Sequence, residues 1–154
     1  MKKFYLLTSF IIILLPVSCS KDFLNSYDKR IQGTWRLTDI DRFGFGSTSR
    51  QFSSGLFTFS GDGGLTYVDD AGDTSTGSWN IQRRWSTGNC YTDDNGNRNC
   101  NDRYIRSLAI SVMNFNSQEF KAEYFDEIVF TGTNRFKAMI YLGAGVCVFR
   151  FKRQ

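Results

Sequence analysis

Apolar residues along this chain follow two rhythms, and the change between them comes early. Phe4 to Leu15 is an almost unbroken apolar run behind Lys2 and Lys3, whereas from Gly33 onward apolar and polar residues alternate with a period of two. That period puts successive side chains on opposite faces of a strand, so the second rhythm predicts β-structure with one buried face. The alternating sets are Trp35 and Leu37; Phe57 and Phe59; Leu65 and Tyr67; Trp79 and Ile81; Leu108, Ile110 and Val112; Phe120, Ala122 and Tyr124; Phe136, Ala138, Ile140 and Leu142; and Cys147, Phe149 and Phe151. Gly61-Asp62-Gly63-Gly64, Asp69 to Asp73, and Thr131-Gly132-Thr133-Asn134 separate some of them as turns, because glycine accepts the positive φ that tight hairpins need. The tally is eight strands if Glu119 to Thr131 is continuous and nine if Asp126 breaks it. Consecutive short strands of this kind predict an all-β, antiparallel, eight-stranded up-and-down barrel over residues 32–154.

The first rhythm has a different meaning. The run from Phe4 to Leu15 is shorter than the ~20 residues that span a bilayer core, and a basic start with an apolar centre marks a signal peptide. It ends in Leu15-Pro16-Val17-Ser18-Cys19, which resembles the bacterial lipobox. The resemblance implies cleavage after Ser18 and acylation of Cys19, whose thiol takes a diacylglyceryl group and whose freed amine takes a further chain such as palmitate. Several acyl chains at about 0.8 kcal/mol per buried methylene make a lasting anchor. Residues 1–18 are therefore expected to be a lipoprotein signal peptide and 19–31 a lipidated N-terminus and tether. Ser20 rather than Asp after the cysteine points to the outer membrane, with the side of that membrane left open.

Composition narrows the chemistry. The chain contains no histidine, which excludes Ser-His-Asp and Cys-His catalysis and His-ligated zinc or iron. A net charge of +4, or +2 without Lys2 and Lys3, is too small to suggest nucleic acid. The carboxylates show no catalytic spacing, so no enzyme activity, cofactor or catalytic residue is expected.

Gly33-Thr34-Trp35 at the start of the meander resembles the Gly-x-Trp signature of lipocalins. Phe57-Thr58-Phe59 running into Asp62-Gly63, Gly77-Ser78-Trp79-Asn80-Ile81, Thr133-Asn134-Arg135 and Phe151-Lys152-Arg153 look like landmarks of the lipocalin-like domains of small bacterial lipoproteins. The similarity covers roughly Ile31 to Arg153. It implies that Trp35 lies across the closed end of a barrel with Arg153 packed over it, a structural signature of Gly33, Trp35 and Arg153.

Cys90 and Cys100 bracket a polar loop, and in an oxidising envelope they are expected to form a disulfide. Asp93, Asp94, Asn95, Asn97 and Asp102 crowd the same loop, but an EF-hand frame with its glycine at Gly96 would begin at Tyr91, which is no calcium ligand. No metal is expected. Cys147 is in phase with Phe149 and Phe151 and reads as an inert buried thiol.

Two functions fit. One is a binding module for a small hydrophobic or amphiphilic ligand. Its wall would be Phe57, Phe59, Tyr67, Trp79, Leu108, Ile110, Phe136 and Ile140, its lid Phe43 and Phe45 in the loop Asp41 to Ser54, and its orienting polar group Tyr67 or Arg84. The other is a structural or interaction lipoprotein whose filled barrel displays loops to a protein or polysaccharide partner. Its rim would include Arg83, Arg84, Trp85, Arg98, Arg103 and Arg106. The expected partners are the membrane, through Cys19, and a possible small hydrophobic ligand.

Overall fold

A computed structural model describes residues 26–45, 50–88, 90–92, 94–96 and 98–154. The expected signal peptide, Cys19 and most of the expected tether lie outside the described residues. A short helix α1 (Tyr27–Ile31) leads into β1 (Gly33–Gly44), followed by β2 (Leu56–Phe59), β3 (Gly64–Val68) and β4 (Thr74–Ser86). A hairpin of β5 (Cys90–Thr92) and β6 (Arg98–Cys100) precedes β7 (Arg103–Asn114), β8 (Glu119–Phe125), β9 (Glu127–Phe130), β10 (Arg135–Tyr141) and β11 (Gly145–Arg153). β5 and β6 pair with each other alone; the other nine strands form one antiparallel sheet in the order β8-β7-β4-β3-β2-β1-β11-β10-β9.

This corrects the expected eight-stranded barrel. The sheet is all-β and antiparallel, but it has nine strands and is not closed. Asp126 is the reason. β8 and β9 are the two edges of the sheet and are separated in the chain by this one residue. The run before it pairs with β7 and the run after it with β10, so no strand remains to join the edges. The Asp126 carboxylate also accepts the backbone N–H of Tyr141 at 2.8 Å, a donor placed just beyond the last β9–β10 pair, Glu127 opposite Met139. A side chain thus ends the ladder where a further strand pairing would have continued it.

Turn chemistry holds the register elsewhere. Gly63 takes φ +87°, and the Asp62 side chain accepts the Gly64 N–H at 3.0 Å, tying off β2–β3. Asp69 accepts from both Ala71 and Asp73 between β3 and β4. A register shift between Leu37 and Asp39 in the β1–β11 pair reverses the phase of β1. Before it Trp35 and Leu37 are buried; after it Ile40 packs on the core. The curled sheet wraps its concave side around the core, and rings from distant strands meet there, as Phe125 and Phe149 do at 5.0 Å.

Candidate functional site

The concave side gathers most of the expected wall. Phe57, Phe59, Tyr67, Trp79, Leu108, Ile110 and Phe136 are buried in one cluster, and Ile140 is partly buried against it. These side chains meet one another. Phe57 lies 4.8 Å from Tyr67 and 5.4 Å from Phe151, Phe136 stacks on Phe151 at 4.4 Å, and Phe59 meets Trp79 edge-on at 5.8 Å. Such ring pairs add about 0.5–1.5 kcal/mol each beyond their buried area.

The lid differs from expectation. Phe43 is exposed and Phe45 is 87% exposed, whereas Phe52 from the same loop is buried, edge-on to Phe57 at 5.3 Å and Tyr67 at 5.0 Å. The bulge in β1 accounts for Phe43. Without the shift it would share the face of Trp35 and Leu37; with it, the alternation turns Phe43 outward. Two contacts fix the loop around Phe52. The Tyr67 hydroxyl donates to the Ser54 carbonyl at 3.0 Å, and Gly55 adopts φ +109° against the Tyr67 ring, where a Cβ would sit 2.7 Å from Cε2. Sequence reasoning missed Phe52 because it stands alone among serines and belongs to no alternating set. Gly55 was its one signal. Burial, with the nearby charges of Asp69, Asp70 and Glu119, raises the Tyr67 hydroxyl to about 12.

Polar groups from β8 also turn toward this end. Glu123 accepts the Gln51 N–H at 3.3 Å, and burial holds its carboxyl above the usual range. The Lys121 ammonium lies 5.7 Å from the Tyr67 ring centre. Cys147 is buried and free, its thiol pushed up by burial against the opposing influence of Arg50 and Arg42.

At the opposite end, α1 closes the core. The Trp35 indole donates to the Ile31 carbonyl at 2.6 Å, and the Arg153 guanidinium lies 4.4 Å from the indole ring. Arg153 also donates to the carbonyls of Gln32 at 2.9 Å and Arg30 at 2.7 Å. Gly33, at φ +111°, leaves room for it: a Cβ there would lie 2.9 Å from an Arg153 nitrogen.

Arg84 does not face the core. It points to the other face of β4 and pairs with Asp126 at 3.2 Å. Beside it Arg103 pairs with the buried Glu127 at 2.8 Å, and the Tyr141 hydroxyl donates to the same Glu127 oxygen at 2.6 Å. Burial and the Glu127 carboxylate raise that hydroxyl to about 12. Arg84, Arg103, Glu127 and Tyr141 line a cleft of about 450 Å³ with Thr87, Asn101 and their neighbours. Each arginine spends one terminal nitrogen on its carboxylate in these pairs, and a guanidinium offers five donors in a planar fork. The cleft can therefore present oriented donors to an anionic group. Beyond it, the β5–β6 hairpin sets Cys90 directly opposite Cys100. No family model, curated protein or solved structure matches this chain.

Proposed function

We propose that this protein is a lipid-anchored, non-catalytic component of a bacterial outer membrane, whose lipocalin-like β-domain is a filled scaffold displaying a binding rim to an envelope partner. Of the two functions that the sequence suggests, the packing of the concave side favours the display scaffold. The expected ligand wall is in ring-to-ring contact with itself, and Phe52 fills the position that a carrier would leave for a ligand's tail. Small β-folds of this kind are either filled by their own side chains or hold one ligand, and the ring-to-ring contacts of the described interior support the first reading. The rim has its own chemistry. Arg84 and Arg103 are held in place by Asp126 and Glu127 over the cleft, a donor arrangement suited to a carboxylate or sulfate on a protein or polysaccharide.

Native mass spectrometry of protein extracted from its own host tests the reading. The expected mass is that of the chain from Cys19 with its acyl groups, a Cys90–Cys100 disulfide and no retained small molecule. A co-purifying amphiphile released on unfolding would replace the scaffold reading with the carrier. A chain without acyl mass would remove the anchor. NMR titration with glucuronate should shift the Arg84 and Arg103 side-chain signals in the wild type, with no equivalent response in Arg84→Ala/Arg103→Ala.

A further inference from the structure

β4 and β7 outrun the sheet around them. The last partner of β4 in β3 is Ser78, opposite Gly64, and the last partner of β7 in β8 is Leu108, opposite Phe125. Past these points the two strands continue as a two-stranded arm, pairing without interruption to Ser86 opposite Arg103. Directly opposed residues of an antiparallel pair share a face. One face of the arm therefore carries Arg84, Ile105, Ser86 and Arg103, the side of the cleft. The other carries Arg83 with Arg106 and Trp85 with Tyr104.

That second face has no carboxylate on either strand. Trp85 and Tyr104 are more than half exposed and meet edge-on at 4.6 Å, and the Arg83 guanidinium lies 3.7 Å from the Tyr104 ring centre. Large aromatic rings held open to solvent beside guanidinium stacks that have no carboxylate partner among the described residues are the side chains that settle at a membrane–water interface, rings at headgroup depth and cations on anionic lipid. Position adds to composition. Arg106 lies 5.4 Å from the ring of Tyr27, the first residue of α1, so the described chain enters the fold at the base of this same face. Eight residue steps separate Cys19 from Tyr27, and an extended chain covers at most about 28 Å in that length. A chain acylated at Cys19 holds this face within reach of the bilayer and cannot carry it far away.

We propose that the face formed by Arg83, Trp85, Tyr104 and Arg106 is a membrane-docking surface that lies on anionic phospholipid, with the Trp35–Arg153 end of the domain directed toward the lipid. The proposal rests on the anchored reading above and gives the anchored domain a defined orientation. It leaves the cleft of Arg84 and Arg103 on the opposite face of the arm.

Trp85 supplies the readout, since Trp35 and Trp79 are buried. The full acylated chain is floated with phosphatidylcholine vesicles, with or without phosphatidylglycerol, whose acyl chains carry bromine as a quencher. The Trp85 emission is obtained by difference from Trp85→Phe. The expected result is roughly two-fold quenching of Trp85 in the anionic vesicles, relieved at about 1 M salt, where the screening length falls to ~3 Å. Arg83→Glu/Arg106→Glu should float as before and lose the quenching, while Arg83→Lys/Arg106→Lys keeps it. Unchanged emission from Trp35 and Trp79 shows that both variants are folded. A chain that floats on every vesicle with Trp85 unquenched and open to aqueous iodide overturns the docking surface and leaves the anchor standing. Flotation on anionic vesicles alone, with Trp85 quenched, removes the anchor and keeps the docking surface. Flotation on neither removes both.

Discussion

The Arg153 guanidinium lies 4.4 Å from the Trp35 ring, and the two residues are direct partners at one end of the β1–β11 pair. Three independent restraints hold this contact: the indole bond to Ile31, the two guanidinium bonds to Arg30 and Gln32, and the space left by Gly33. The Arg153 Nε is the one buried side-chain polar atom without a hydrogen-bond partner among the described residues. Arg153→Ala should lose about 3 kcal/mol of stability, since it removes charge-assisted bonds and a cation–π contact together. Arg153→Lys should restore less than half of that, because an ammonium lacks the planar fork. Gly33→Ala should lose about 1–3 kcal/mol through backbone strain and collision with Arg153. Urea unfolding of the three variants is the measurement.

The loop before β2 offers a contrast between two phenylalanines. Phe52→Ala should cost about 3–5 kcal/mol, the usual penalty for emptying a buried aromatic site. Phe45→Ala should change stability by less than ~0.5 kcal/mol, as surface replacements do. The cavity opened by Phe52→Ala also bears on function, because it creates beside Phe57 and Tyr67 the apolar space that the native ring fills. A fluorescent fatty-acid probe should bind that variant more tightly than the wild type. Equal affinity for the two proteins would mean that Phe52 does not govern access to the interior.

Cysteine chemistry should divide sharply. Cys90 and Cys100 face each other across β5–β6, and non-reducing peptide mapping should recover them joined. Closing so short a loop should contribute about 2–3 kcal/mol on the chain-entropy model, so Cys90→Ser/Cys100→Ser should unfold at correspondingly lower urea. Cys147 is buried with its thiol shifted up. It should resist iodoacetamide at neutral pH and react only on unfolding.

Alkaline titration should show two late tyrosines. Tyr67 and Tyr141 each ionise at about 12 in the folded chain, against an ordinary value of 10.0. A group raised on folding contributes stability that is whole below its unfolded value and is lost as pH climbs through its folded one. Stability should therefore hold to about pH 10 and fall between pH 10 and 12. Tyr67→Phe and Tyr141→Phe should each flatten that fall and remove one late phenolate from the absorbance titration at alkaline pH.

Alternation alone determined the β-class, most of the inward set from Trp35 to Phe151, and the turns at Asp62-Gly63 and Asp69 to Asp73, because side-chain period and glycine geometry are local properties. β8 is the exception, where Phe120, Ala122 and Tyr124 face outward and Phe125 is buried. The outward side of Arg84 was legible in its phase, one step out from Trp79 and Ile81, but its role was not, because that depends on Asp126, which lies 42 residues away in sequence. The sequence raised a break at Asp126 without deciding it, because Phe120, Tyr124, Ile128 and Phe130 keep one alternation on paper, whereas the fold reverses the phase there and buries Phe125 and Ile128. Only the tertiary structure decided that this carboxylate caps Tyr141 and leaves the sheet open, that one bulge turns Phe43 outward, and that Phe52 enters the core in its place. Each of these depends on register between segments far apart in the chain, where a shift of one residue moves every following side chain to the other face.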